Sequence, residues 1–508
     1  MVSDECQSAV RYLPFAIYHP PLLGYLWLVM TGQPDTYEEA LRYLCRPIRQ
    51  ADYPHDSLPL CALLTRLGEP QRAYRSVIVT GSRGKGTVAH LLAAALHYAG
   101  YKAGLYTSPH LHLFRERMRI NGHLISREAL LSQVRSIAPA VERGPGPFST
   151  FELTTTLAFH WFASQHVDVA VLEVGIGGRW DAVNQAPADT AAITTIEAEH
   201  TSMLGTTPEQ IALHKAGVIR PNGLVICAPQ PDQAWTVIAD TAQALGATLV
   251  DMRQTATWQS TLDPASGSAT FEISHRQSIL RGSTRLLGRH NALNIAQAAT
   301  WAYEVASRNY SVGPAHVVQA ASNLSLPGRA ELLAHEGAWL LLDGGHTPGS
   351  AAALADLIEE LHLSVPPTYV VGIASDKDAQ AFLTSLRIPA GASLMLTTYS
   401  GHRATPLDKL SDHARQAGLE PQLALDLSEA IQTALERHAG GGLIVLTGSL
   451  HLVAQAREIL GVVRTRDLSE IRLTRAIFTG AGYLFRIRSG RTDEAPPDTL
   501  PTQQTGSK

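Results

Sequence analysis

A chain of 508 residues exceeds what one hydrophobic core organises and points to two or more domains. With 41 Lys plus Arg against 45 Asp plus Glu, the net charge is −4, which argues against a nucleic-acid binder relying on a basic surface. Apolar residues at 45% against 17% charged can bury large cores and exclude disorder for the bulk of the chain. The four cysteines, Cys6, Cys45, Cys61 and Cys227, form no CxxC pair, so zinc-knuckle, redox and disulfide-scaffold classes fall away. They read as small thiols in a reducing cytosol, and a cytoplasmic location is expected.

The first strongly apolar stretch, Leu13 to Met30, contains His19, Pro20-Pro21 and Gly24 and lacks a signal peptide's basic start and cleavage site. It reads as a packed arm, and no membrane span is expected. From Thr36 onward, strand-like and helix-like runs alternate. Ser76–Gly81 reads as strand, Val88–Ala99 as helix, Ala103–Thr107 as strand, Phe151–Gln165 as helix and Asp168–Val174 as a strand buried on both faces. Ala191–Ile196, Pro208–Lys215 and Leu224–Ala228 continue the pattern. Thr270–Ser274 and Ser278–Leu280 read as an antiparallel hairpin added to that sheet, and Asn291–Ser307 as the last long helix of the unit. Near-continuous apolar strands separated by helices predict a parallel, doubly wound sheet.

Beyond a hinge at Ser322–Arg329, strands at Trp339–Asp343, Tyr369–Ile373, Ser393–Thr397 and Leu443–Thr447 alternate with helical segments. The expected fold class is therefore α/β. A P-loop-type, mostly parallel ATPase domain spans 36–325, and a smaller Rossmann-like α/β domain spans 326–466. An N-terminal extension covers 1–35 and a C-terminal extension covers 467–508. The polar, Pro-rich Ser489–Lys508 reads as a disordered tail. There is no solenoid-length repeat.

The most informative stretch is VTGSRGKGT at Val79–Thr87, where a strand runs through a Gly-rich turn into a helix. Gly81, Gly84 and Gly86 let backbone amides approach phosphate oxygens. The helix N-terminus adds its positive dipole end, and Lys85 adds a full charge. Ser82, Arg83 and Thr87 complete this candidate ATP-binding loop. Gly86 stands between Lys85 and Thr87, so the spacing departs from GxxxxGK[ST]. EVGIGGR at Glu173–Arg179 lacks the GxGxxG spacing of a dinucleotide site.

These residues, with others in order along the chain, resemble the folylpolyglutamate synthase/dihydrofolate synthase family of Mur ligases. GSRGKGT (81–87) is similar to that family's GTNGKGS. YTSPHL with FRERMRING (106–111 and 114–122) is similar to YTSPHL…FNERIRING, and LEVGIGGRWDAVN (172–184) to LEVGLGGRLDATN. HTSMLGTTPEQIALHKAG (200–217) resembles the segment from a metal-site histidine to a modified lysine. LGRHNALN (287–294), PGR (327–329), DGGHTP (343–348), DKD (376–378) and GSLHLVAQAR (448–457) complete a series running from about Thr36 to Val463.

The resemblance implies an ATP-dependent amide ligase that converts a folate or dihydropteroate carboxylate to an acyl phosphate, which the amine of L-glutamate then attacks. It implies two Mg²⁺ ions, with Ser108, Glu173 and His200 as ligands, and a carbamylated Lys215. Lys85, Lys215, His200 and Glu173 carry the catalysis. Asn291, Arg329, Asp343 and His346 join the loop in binding ATP, and Phe114, Arg179 and Asp181 lie on the substrate side. Elementary chemistry agrees in part, since phosphoryl transfer needs positioning and charge neutralisation and a carboxylate on an apolar strand needs a cationic partner. Arg179 reads equally as an ion-pair partner of Asp181. A monomer with small-molecule partners is expected.

Several positions depart from the family pattern: Arg83 and Arg115 stand where it has Asn, Glu199 where it has Asp, Asn291 where it has Gln, and Thr347 where it has Asn. Arg83 adds a cation near the phosphates and could tighten nucleotide binding or shift acceptor choice. Two rivals remain at this level: a Mur-like ligase with a non-folate carboxylate acceptor, and a catalytically silent nucleotide-binding relative. FRERMRING favours the folate branch over the first. The joint presence of Lys85, Ser108, Glu173, His200 and Lys215 counts against the second.

Overall fold

The computed structural model describes residues 33–45, 57–264, 266–401, 403–464 and 467–479. The apolar arm at Leu13–Met30, Cys6 and the Ser489–Lys508 segment lie outside the described residues.

The larger sheet has eight strands. In spatial order they are His123–Leu124, Met118–Ile120, Ala103–Tyr106, Val169–Glu173, Arg75–Thr80, Thr190–Ile193, Leu224–Cys227 and Thr248–Asp251. The six from Ala103–Tyr106 onward run parallel, and the first two form an antiparallel edge. Burial on both faces follows from the strand sequences. In Arg75–Thr80, Val77 and Val79 join the core beneath the helix Lys85–Tyr98, while Ile78 joins the core with Leu153 and Leu157 of the helix Thr150–Ser164. Val169 and Val171 against Ala170 and Leu172 divide in the same way. Arg75–Thr80 lies between the later strands Val169–Glu173 and Thr190–Ile193, so the connection from it to Ala103–Tyr106 and the one from Val169–Glu173 to Thr190–Ile193 run in opposite directions. The crevice beyond such strand ends is where open α/β sheets take ligands.

The expected hairpin is not part of this sheet. Ser268–His275 and Ser278–Thr284 pair antiparallel, but Ser268–His275 pairs on its other side with Ala256–Asp263, making a separate three-stranded sheet. Ala256–Asp263 supplies the hydrogen-bonding edge that the large sheet was expected to provide. Its alternating exposure marks a strand covered on one face only. The helix expected at Asn291–Ser307 spans Arg289–Glu304, and a further ten-residue helix, Pro314–Asn323, follows it.

The third sheet, in spatial order, is Glu331–His335, Ala338–Asp343, Leu443–Thr447, Thr368–Val371, Ser393–Leu396 and Gln422–Leu423. All its pairings are parallel except that of Glu331–His335 with Ala338–Asp343. Leu340, Leu342, Ile444 and Leu446 fill one face, and Leu341, Tyr369, Leu443 and Val445 the other. After the strand Leu443–Thr447 the described chain forms two helices, Leu450–Ile459 and Leu468–Thr479, and Leu473 and Ile477 of the second pack against the core of the large sheet.

Candidate active site

A cleft of about 850 Å³ opens beyond the C-terminal ends of the strands in both parallel sheets. Ser82, Arg83, Gly84, Lys85, Gly86 and Thr87 form one wall. The turn that carries them is fixed from beneath. Ser82 N donates to Thr195 O (3.0 Å), and Ser82 Oγ lies 3.0 Å from Glu197 O and accepts from Glu197 N (3.1 Å). Gly84 takes φ +88° as the cap of the helix Lys85–Tyr98, and a Cβ there would stand 2.4 Å from Asn294 Oδ1. Only glycine meets both demands. Lys85 Nζ folds back to donate to Ser82 O (3.0 Å). Gly81 lies behind the cleft wall at φ +137°, where a Cβ would meet Thr194 Oγ1 at 1.9 Å.

Glu173 ends its strand at 5% exposure and faces the same wall. One carboxylate oxygen accepts from Ser108 N at 2.9 Å. Burial raises its proton affinity, opposed by Lys85, the Ser108 amide, Arg329 and Arg117. His200, at positive φ before a short helix, lies with its Nε2 3.4 Å from Glu199 Oε1, and both residues line the cleft. Glu199 Oε2 is buried without a hydrogen-bond partner. Burial would raise its pKa, but Lys85, His200 and Lys215 together hold that carboxyl well below the usual range.

Lys215 is 2% exposed and sits beneath the loop rather than on the cleft surface. Its Nζ donates to Gly81 O at 2.6 Å. Burial, reinforced by repulsion from Lys85, lowers its pKa to about 7 against the pull of Glu199, Asp181 and Glu197.

The opposing wall comes from the smaller sheet. Arg329, Asp343 and His346 all line the cleft. Asp343 is a staple: Oδ2 accepts from Ala330 N and Oδ1 from Gly345 N, both at 2.9 Å, which fixes the turn carrying Arg329. Burial, assisted by Lys377, lowers the pKa of His346 to about 4, so this ring is neutral near pH 7. Asn291 reaches the cleft from the helix Arg289–Glu304, donating to Leu287 O (2.8 Å) and accepting from Asn294 (3.1 Å).

Two expected substrate-side residues are not brought to the cleft. Phe114 is fully buried in the core of the large sheet, and Arg179 is exposed and absent from the cleft wall. Asp181 does line the cleft, but its carboxylate accepts the amides of Gly175 (3.1 Å), Ile176 (3.0 Å) and Val183 (3.0 Å) rather than pairing with Arg179. Arg117, from the same block as Phe114, is the residue that reaches the wall. Sequence reasoning also passed over Lys377 and Glu197. Lys377 lines the cleft and lies inside the quoted DKD landmark, a signal that was available. Glu197 had none, since its role depends on what faces it across the cleft. Among the described residues, no three His, Cys, Asp or Glu side chains converge as a ready metal cluster. No described helix is long and apolar enough to cross a membrane.

With this geometry in place, similarity to known proteins becomes informative. A family model for the Mur ligase middle domain matches residues 79–302, and one for the Mur ligase glutamate ligase domain matches residues 328–450. The eight-stranded and six-stranded sheets and the cleft they share are those of a Mur-type ligase. The folylpolyglutamate synthase of Lacticaseibacillus casei is 30% identical over 420 residues, covering 80% of this chain and 94% of that one. The structure of Mycobacterium tuberculosis folylpolyglutamate synthase complexed with ADP aligns with a TM-score of 0.76 at 28% identity, covering 84% of this chain and 99% of the other. The chain belongs to the folylpolyglutamate synthase/dihydrofolate synthase family of Mur ligases. It is also 32% identical over 430 residues to a "Probable bifunctional folylpolyglutamate synthase/dihydropteroate synthase" of Halobacterium salinarum, covering 83% of this chain. It spans about half the length of that relative, 51%.

Proposed function

We propose that the protein is an ATP-dependent ligase joining the amine of L-glutamate to a carboxylate of folate or dihydropteroate. The observation that carries this reading is the convergence on one cleft of the phosphate loop and Glu173 with Arg329, Asp343 and His346. In the forward step the acceptor carboxylate oxygen attacks the γ-phosphorus of ATP, the bond to the β-phosphate oxygen breaks, and ADP leaves. The glutamate amine then attacks the acyl carbon. Inorganic phosphate departs with the C–O bond electrons, and the amine loses a proton.

The chain's contribution is positioning and charge. Loop amides and Lys85 neutralise the phosphates, and Arg329 approaches from the facing wall with a planar, permanently charged fork. Walls from two sheets exclude water from the acyl phosphate. Glu173, Ser108 and His200 fit a divalent cation. Glu173 and Glu199 both line the cleft with oxygens left for a cation, since Glu173 accepts one hydrogen bond and the buried Glu199 Oε2 accepts none. Mg²⁺ held there would supply positive charge that offsets the phosphate charge. Lys215, with its amine near neutrality at pH 7, is suited to add to CO₂, forming an N–C bond and releasing a proton. The resulting carbamate would place a negative group beneath the loop.

The deciding experiment is phosphate release with ATP, Mg²⁺ and glutamate, with dihydropteroate or a reduced folate supplied in turn. Acceptor-dependent release and a glutamylated product are expected. ATP binding without release on any pteroate would overturn the reading.

A further inference from the structure

Arg115 departs from the family motif, and its partner lies 355 residues away, in the helix Leu468–Thr479. Glu470, with a side chain only 1% exposed, accepts Arg115 Nε (2.7 Å) and Nη2 (2.8 Å) on separate oxygens. It also accepts Arg127 Nε (2.7 Å) and the Tyr37 hydroxyl (2.7 Å). Arg115 Nη1 donates in turn to Ile125 O (2.9 Å). A fully satisfied, bidentate buried carboxylate of this kind fixes geometry more than it adds stability.

The turn that Arg115 anchors runs directly to the cleft. Its next residue, Glu116, accepts the amides of Leu111 (2.7 Å), His112 (3.1 Å) and Leu113 (2.9 Å). Arg117 then donates to His110 Nδ1 (3.0 Å) and lines the cleft together with Ser108 and Pro109. The same helix also grips the other wall, where Arg475 pairs with Glu458 of the helix Leu450–Ile459. Arg457 of that helix donates to His112 Nε2 (3.3 Å) and pairs with Glu331, whose other oxygen holds Gly328 N (2.8 Å) beside Arg329. Leu468–Thr479 thus ties directly to the loop through Arg115 and, by way of the helix Leu450–Ile459, to the turn bearing Arg329.

We propose that the helix Leu468–Thr479 is a strap that sets the loop Ser108–Arg117 for acceptor binding, with Glu470 as a positioning residue acting through Arg115. This rests on the reading of the cleft as the acceptor and nucleotide site. Burial works against the Glu470 charge, yet its three donors hold the carboxyl down at about 2, so the clasp stays ionised across the physiological range.

The test is Glu470→Gln in the full chain, read by hydrogen exchange and by steady-state kinetics. Amides of residues 110–117 should exchange at least about fivefold faster, the acceptor KM should rise by a similar factor, and the ATP KM should move less than about twofold. In an Arg115→Asn background the same substitution should add less than half of its own effect. A merely structural role would lower the melting temperature while leaving exchange at 110–117 and the KM ratio unchanged, and that outcome overturns the proposal. If Glu470→Gln does not melt cooperatively, Arg127→Gln, which removes one half-exposed donor, takes its place with the same criteria at smaller amplitude. Should the native chain show no turnover with any pteroate, the cleft reading fails separately, and the exchange result alone decides the strap.

Discussion

Arg83 and Glu197 face each other at 3.4 Å, and each also reaches across the cleft. Arg83 Nη1 donates to Gly349 O (2.7 Å), and Glu197 accepts from Thr347 Oγ1 (2.6 Å). Gly349 is needed for this approach, since a Cβ there would meet Glu197 Oε2 at 1.9 Å. Two departures from the family pattern, Arg83 and Thr347, are thereby parts of one contact between the walls.

That contact separates the two cations of the loop. Arg83 is occupied by Glu197 and Gly349, whereas among the described residues the side chain of Lys85 donates one hydrogen bond, to the loop's own Ser82 carbonyl. Lys85→Ala should lower kcat/KM for ATP by about 10²-fold or more, and Arg83→Asn by less than about tenfold. A double-mutant cycle of Arg83→Asn with Glu197→Gln should give a coupling of about 0.5–3 kcal/mol in unfolding stability. Additivity of the two would show that the pair does not act as a unit.

Glu173→Gln keeps the shape of the strand end but removes the charge that a divalent cation requires. Activity should fall by about 10²-fold or more, and the Mg²⁺ concentration for half-maximal turnover should rise. An unchanged Mg²⁺ titration would remove Glu173 from the cation site.

Lys215 carries a pH signature. Its folded pKa of about 7 lies below the ordinary lysine value of 10.5, because burial and then Lys85 disfavour the ammonium. Between these values the unfolded chain binds more protons than the folded one, so stability should rise as pH increases from 7 to 10.5 and flatten below 7. Lys215→Met should abolish that slope in urea unfolding series. With ¹³C-labelled bicarbonate, a carbamate resonance should appear in the native chain and be absent from Lys215→Met.

Asp181 shows the opposite sign. Burial raises its pKa from 3.8 to about 6, against three backbone amides that favour the ionised form. Its contribution to stability is present below 3.8 and is lost as pH rises through 6. Asp181→Asn turns an NH₂ toward amide donors and should destabilise the chain by about 1–3 kcal/mol in urea unfolding. Wild-type stability in Asp181→Asn would exclude the capping role.

What the sequence made legible has a physical pattern. Strands such as Val169–Glu173 are buried on both faces and read as unbroken apolar runs, so the two parallel sheets and the loop between Thr80 and Lys85 were accessible. The placement of Ser268–Thr284 was not, because a strand's side chains do not record which neighbour its backbone hydrogen bonds will find. The FRERMRING block shows the same limit within four residues. It announces a loop near the cleft, but side-chain direction sends Phe114 into the core, Arg115 to Glu470 and Arg117 to the cleft wall. The strap went unread because Glu470 gains its meaning only from donors far away in the chain.

The bond from Lys215 to Gly81 carries one more consequence, a thermodynamic linkage between a single proton and the phosphate loop. Whatever favours one shape of that loop must change the proton affinity of the amine by the same free energy, and the reverse holds equally. An anion arriving beside Lys85 screens the positive charge that depresses Lys215. If the proposed carbamate forms, CO₂ would add most readily before nucleotide binds, when more of the amine is unprotonated.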